Sequence, residues 1–288
     1  MANVRVMTDS VACIPAELAA EKGVRVIPAA NIMFGSESYI DGETITAAQA
    51  YELIQRDPDR FVTSAITPAY VMEAYRELTR ESDQVLFVTI SSALSAVYRT
   101  ATAAAELFRA ESPGATVRVL DSLACASTQG LVVLTAAEAA ARGKDLEEVI
   151  STARHVRGQT GGLMMLDTLR YVYRTGRMSK VASRVASIFN VRPINRLTPE
   201  GTVEFADRAR KRLDGLNRLL AMIGREAGTR DLHFMVTHAA APEMAEGFTE
   251  RLRQEYNCLS MIVSDYSPVM GYGAGPGAIF VGFHPEIQ

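Results

Sequence analysis

"QVLFVTISSALSAVYRTATAAAELFRAE", residues 84–111, runs from an apolar β-branched stretch through a hydroxyl-rich turn into an alanine-rich helical stretch. Five hydroxyl residues, Thr89, Ser91, Ser92, Ser95 and Thr100, crowd that step. The same order recurs on both sides of it. "NVRVMTDS" leads into "IPAELAAEKG", where Pro15 suits a first helical turn and Gly23 its stop. "RFVTSAIT" leads into "PAYVMEAYRELTRES", and "TVRVLDSLACAS" into "TQGLVVLTAAEAAARG". Strands alternating with helices specify a parallel sheet with right-handed crossovers. In such sheets ligands collect beyond the carboxyl ends of the strands. The turns Thr8–Ser10, Thr63–Thr67, Ser91–Ser95 and Asp121–Ser122 are all expected at those ends. Capping explains one hydroxyl per helix. Four clusters at one sheet edge point to a ligand site as well.

The second half reads differently. "GGLMMLDT" is strand-like, and "LRYVYRTGRMSKVASRVASIF" reads as a basic helix pair interrupted at Gly176. "VRPINRLTPEGTVEFADRAR" reads as a hairpin turning at Pro199–Gly201. A long helix follows in "RKRLDGLNRLLAMIGREAG", then strand "LHFMVTHA", helix "PEMAEGFTERLRQEY" and strand "LSMIVSDYS". The glycine cluster "GYGAGPG" precedes a last strand, "AIFVGF". The expected architecture is a two-domain α/β protein: an N-terminal parallel, Rossmann-like sheet over 1–157 and a C-terminal mixed α/β domain over 158–288. The boundary is placed near Gly158, where "RGQTGG" breaks the pattern.

Composition narrows the class. The chain has 288 residues, 48% of them hydrophobic and 22% charged, which is ordinary for a folded globular protein. It opens in a strand-like run with no basic n-region, and no apolar stretch approaches the ~20 residues of a membrane span. Cys13, Cys125 and Cys258 lie far apart without metal spacing, so a reduced, cytoplasmic setting and no metal are expected. Net charge is −3, but Arg170–Arg212 holds eleven basic residues against three acids, leaving −11 on the remainder. That asymmetry suits an anionic ligand or partner, or simply a solvated helix face.

Chemical motifs are sparse. The glycines of "GYGAGPGA" are followed by a β-rich run, whereas a dinucleotide loop opens a helix. There is no G-x-S-x-G elbow for a serine hydrolase. His238 at a strand end reads as a satisfied structural histidine, and Asp9 and Asp121 as cap or turn residues. Met164, Met165, Met222, Met235, Met261 and Met270 read as core, although methionine also lines adaptable apolar pockets. The residue pattern fits an amphiphile with an anionic head, whose chain contributes ~0.8 kcal/mol per buried methylene. The alternative is a small-molecule phosphotransferase or hydrolase using Asp9, Asp121 and the basic 170–212 segment.

"TDS" at 8–10, "TSAITP" at 63–68, "ISSALSAVY" at 90–98, "DS" at 121–122, "LRYVYRTGRMS" at 169–179, "RPI" at 192–194 and "GAGPGA" at 273–278 together resemble the DegV family over about residues 3–284. That resemblance implies long-chain fatty-acid binding in a tunnel between two α/β domains, no cofactor and no nucleic acid. It also implies a carrier role, presenting the carboxylate to a separate acyl-phosphorylating kinase. Carried over residue by residue, it assigns the carboxylate to Thr63 and Ser95, with Ser64, Ser92, Tyr272 and Gly273 as secondary positions. Arg170, Arg174, Arg177 and Arg210 become candidates for contact with the kinase or an anionic membrane. The chain departs from the family in four places. Ser95-Ala96-Val97 replaces Ser-Gly-Thr, Thr175-Gly176-Arg177 replaces Gly-Gly-Arg, Ala65-Ile66 replaces Gln-Pro, and Gly273 stands where a histidine is frequent. Tyr272 is the nearest residue able to supply a hydroxyl there, and the flanking glycines are expected to leave it free to move.

Overall fold

The computed structural model describes residues 4–175, 191–228 and 230–287. In chain order, β1 (Val4–Asp9) passes through a single 3-10 turn (Ser10–Ala12) to α1 (Ala16–Glu21), then β2 (Val24–Ile27), β3 (Ala30–Phe34), β4 (Glu37–Ile40) and α2 (Ala47–Arg56). β5 (Phe61–Ala65), α3 (Pro68–Thr79), β6 (Gln84–Thr89), α4 (Val97–Glu111) and β7 (Thr116–Asp121) follow. Two consecutive helices, α5 (Ala126–Ala141) and α6 (Leu146–Gln159), lead to β8 (Gly161–Met165) and a short α7 (Val172–Thr175). The rest is β9 (Arg192–Leu197), β10 (Val203–Ala209), α8 (Arg212–Ala227), β11 (Leu232–His238), α9 (Pro242–Glu255), β12 (Cys258–Asp265), α10 (Pro268–Ala274) and β13 (Ile279–Pro285).

Strands β2-β1-β6-β7 form an all-parallel sheet. Its central strand β6 is apolar on both faces because both are covered. Val85 and Phe87 meet Tyr75 of α3 and Phe108 of α4, whereas Leu86 and Val88 join the α5–α6 side. A six-stranded mixed sheet, β10-β9-β8-β13-β11-β12, forms the C-terminal half, with α8 and α9 against Leu163, Met165, Phe234 and Val281. The β9–β10 hairpin turns at Gly201, whose φ of 76° is available to glycine without strain. Helix α5 joins the halves. Its Gln129 donates to Thr8 of β1 at 3.1 Å, and its Ser127 donates to the Phe280 carbonyl of β13 at 3.0 Å. Nearly every α5 side chain is buried, so its apolar residues run round all sides of the helix.

One strand differs from expectation. β5, which carries Thr63, lies outside the parallel sheet and forms the edge of a separate antiparallel sheet, β4-β3-β5. The run "RFVTSAIT" is strand in either place, and strand propensity alone does not name the partner. The glycine cluster differs too. Pro268–Ala274 is a helix, not an open loop, because Gly271 lets the ring of Tyr51 on α2 pack against its backbone.

Candidate ligand cavity

A cavity of about 170 Å³ lies between the two halves. A cavity needs only ~10–15 Å³ on this scale to hold one water, so the space is many times that of a single-water void. Its N-terminal wall consists of Val11, Ala29, Ala30, Ile90 and Leu94, with Thr63, Ser95 and Cys125. Met164, Val172, Thr175 and Val203 close it from the C-terminal side, together with Val269, Met270, Tyr272, Gly273 and Ala274 around α10. The walls are predominantly hydrocarbon, with hydroxyl-bearing residues from four separate segments.

Those hydroxyls are placed by different devices. Thr63 shares a face of β5 with the buried Phe61, and its register partner is the buried Ile32, so its side chain points inward. No hydrogen-bond partner for its hydroxyl occurs among the described residues. Ser95 sits just before α4 and accepts the Val97 N–H at 3.3 Å. Thr175, absent from the sequence-level candidates, also lines the cavity, with its hydroxyl donating to the Val172 carbonyl at 3.0 Å. A Cβ on Gly273 would lie 3.6 Å from the Thr175 methyl group, an ordinary contact. Tyr272 is not free on a hinge: its ring stacks on Phe61 with centroids 5.2 Å apart. Cys125 also borders the cavity, and burial pushes its thiol up to about 12. It therefore stays protonated and unreactive.

Other expected positions fall elsewhere. Ser64 is among the residues bordering the cavity, but strand alternation puts its side chain on the outer face, opposite Asn31. Ser92 is exposed and outside the cavity lining; its N–H donates to the Asp121 carboxylate at 3.1 Å. Most remaining hydroxyls of the four turns are engaged locally. Thr8 donates to the Val88 carbonyl, Ser10 donates to Asp41, and Ser122 accepts the Ala124 N–H. The convergence expected of four clusters thus reduces to Thr63 and Ser95.

Asp9 accepts the N–H groups of Val11 and Ile90, and Asp121 those of Ser92 and Leu123, so both carboxylates hold backbone turns. Burial raises Asp9 to about 6, and Asp41, which accepts the Val269 N–H, to about 6 as well. His238 lies at the end of β11, 3.2 Å from Asp265, and burial lowers its pKa. Among the described residues, no group of acids, histidines and cysteines is arranged to hold a metal.

The basic segment is partly neutralised. Arg174 pairs with Asp59 at 2.7 Å, Arg192 and Arg212 share Asp167, and Arg196 pairs with Glu226. Arg170 and Arg210 are exposed, whereas Arg177 lies outside the described residues. Arg170 precedes the four-residue α7, so the expected helical face joining it to Arg174 is not formed within that helix. A wider cleft of about 700 Å³ opens beside loop 122–123, where Arg154, Arg157 and Arg196 face Asp121, Glu204 and Glu226. Its dense, balanced charge suits an acyl chain poorly.

An apolar cavity edged by hydroxyls between a parallel and a mixed α/β sheet is the geometry of a site for an apolar group with a polar end. Among the described residues, no helix is long and apolar enough to cross a membrane. The chain belongs to the DegV family: the model described as "uncharacterised protein, DegV family" matches residues 3–286. A DegV domain-containing protein of Caldanaerobacter subterraneus is 29% identical, covering 99% of this chain and all of its own length. The structure of a fatty-acid-binding DegV family protein from Thermus thermophilus is similar with a TM-score of 0.90 at 26% identity, covering 99% of this chain and 100% of that one. A DegV family protein from Eubacterium eligens loaded with heptadecanoic acid shares the fold, with a TM-score of 0.87 at 21% identity; the match covers 98% of this chain and 100% of that one.

Proposed function

We propose that the protein binds a long-chain fatty acid, with its carboxylate on the hydroxyls of Thr63 and Ser95 and its chain in the cavity. The observation that carries this reading is the Thr63 hydroxyl, without a hydrogen-bond partner among the described residues, at the edge of a predominantly apolar cavity. Burial of methylenes at ~0.8 kcal/mol each supplies most of the affinity. Hydrogen bonds to the charged head, ~1.5–3 kcal/mol each, orient it. Thr175 and Tyr272 border the same cavity and extend the polar end. Fatty-acid binding by the Thermus thermophilus relative, similar along nearly the whole chain, supports this assignment. The role is that of a carrier and not of an enzyme, because Asp9 and Asp121 are engaged by backbone N–H groups. The carboxylate is then available for presentation to an acyl-phosphorylating kinase, with exposed Arg170 and Arg210 on the docking side.

Native mass spectrometry of the purified protein is expected to show a bound acyl chain that organic extraction removes and added fatty acid restores. Ser95→Ala should weaken binding by about one to two decades without unfolding the protein. A folded protein that carries no acyl chain and takes none up overturns the reading.

A further inference from the structure

Strand β12 is the outer strand of the six-stranded sheet, paired with β11 alone among the described residues. At eight residues it is also the longest described strand. Its outer side can be read from the ladder. The Tyr266 N–H donates to the His238 carbonyl of β11 at 2.7 Å, so the backbone of Tyr266 faces β11. Backbone groups alternate sides along a strand, and the register shift in this pair lies before Ser260. Ser264 and Ile262 therefore bond inward too, while Asp265, Val263 and Met261 aim their N–H and C=O groups away from the sheet. None of these three makes a backbone bond outside the strand ladders among the described residues.

Open edges are normally blunted by charge, proline or bulges. β10, at the opposite edge of the same sheet, carries Glu204, Asp207 and Arg208. β12 reads CLSMIVSD, with no proline and no charge before Asp265, and Leu259 and Val263 are exposed. Register with Phe234 and Val236, which pack toward α8 and α9, puts Met261, Val263 and Asp265 on that face. Asp265 is exposed, although it also meets His238 at 3.2 Å. Arg253, in the last turn of α9, is exposed and has no ion partner among the described residues. Burial raises the Cys258 thiol and the Arg253 charge opposes that rise, so the guanidinium lies near the start of β12.

We propose that β12 is a homodimerisation edge, on which a second copy of this chain adds its own β12 antiparallel about a two-fold axis. Centring the axis on Ile262 sets Met261 of each copy opposite Val263 of the other, and such pairs exchange both N–H···O bonds. The same register carries Asp265 of each copy to the start of the other's β12, where Arg253 supplies the opposite charge. An acid at one end of the edge and a base at the other are complementary to themselves under a two-fold, which favours a second copy over an unrelated strand. No residue of β12 borders the cavity, so the pairing stands apart from ligand uptake.

Sedimentation velocity on the purified chain, from micromolar to submillimolar concentration, should show a dimer fraction that grows with concentration. Val263→Lys sets like charges into the pairing and should weaken association more than about ten-fold, with an unchanged circular dichroism spectrum. Arg253→Glu and Asp265→Lys should each weaken it as well. Combined, they should restore it, because each new acid then meets a new base across the axis. A wild-type chain that stays monomeric throughout overturns the proposal. So does a dimer that Val263→Lys leaves intact, or a loss from the single reversals that the double variant does not repair. Should the lysine variant not fold, the charge-reversal series decides.

Discussion

Thr63 and Ser95 differ in what their hydroxyls already do. Thr63 has no protein partner among the described residues, so Thr63→Val keeps the shape and removes only a contact to ligand. Its affinity for fatty acid should fall by about one to two decades, while the melting curve of the empty protein stays in place. Ser95→Ala also removes the bond from Val97 N–H, and should shift that curve slightly downward. If both hydroxyls grip one carboxylate, the double mutant loses less than the sum of the single losses. Strict additivity in the titration would separate the two residues. Asp41 gives a residue-scale prediction of another kind. Burial raises its carboxyl from 3.8 to about 6, so between those values the folded protein holds more protons than the unfolded chain. Stability contributed by this group is therefore present at low pH and lost as pH rises through that window. Asparagine cannot ionise. The melting-temperature difference, Asp41→Asn minus wild type, should become more positive from about pH 4 to about pH 8. A difference independent of pH would show that Asp41 is not raised.

At the scale of elements, α5 packs against both halves and, through its N-cap residue Cys125, borders the cavity. It approaches β13 so closely that a Cβ on Gly282 would lie 2.9 Å from Ser127 C and Thr128 N, both backbone atoms that cannot step aside. Gly282→Ala should cost about 1–3 kcal/mol by overpacking. A melting temperature equal to that of wild type would mean that the helix can retreat without penalty. The same scale shows what was legible in the residues. β1, β6, β7 and the Gly201 hairpin are long or sharply punctuated, and their periodicity names them. β2 and β4 are four residues each and left no readable pattern. β5 was readable as a strand but not as an edge of a second sheet, because its partners lie 27 or more residues upstream. Helix α10 was hidden by its glycines, which serve tertiary contact with α2. Thr63 and Ser95 stood out as hydroxyls at turns. Thr175 was masked by the basic stretch around it.

For the molecule as a whole, the described part of the basic stretch Arg170–Arg212 is not one free surface. Arg174, Arg192, Arg196 and Arg212 hold acids of neighbouring elements, which fixes their heads against the protein. Ion pairs at the surface contribute little stability, ~0–1 kcal/mol each, and these partly exposed ones remove charge from what a partner meets. Arg208 and Arg210 remain exposed at the end of β10 without an ion partner among the described residues. A carrier gains encounter rate from such charge when its partner is acidic or its donor surface is an anionic membrane. Reversing Arg208 and Arg210 to Glu should therefore weaken co-sedimentation with anionic vesicles, or capture of an acidic kinase, and flatten its salt dependence. Fatty-acid affinity should stay unchanged, because neither residue borders the cavity. Arg174→Glu makes the contrasting case. It replaces the Asp59 pairing with repulsion beside β5, so it should disturb ligand affinity through the position of Thr63. The opposite pattern, with the β10 arginines governing ligand affinity and Arg174 only the docking, would overturn this division of the basic segment.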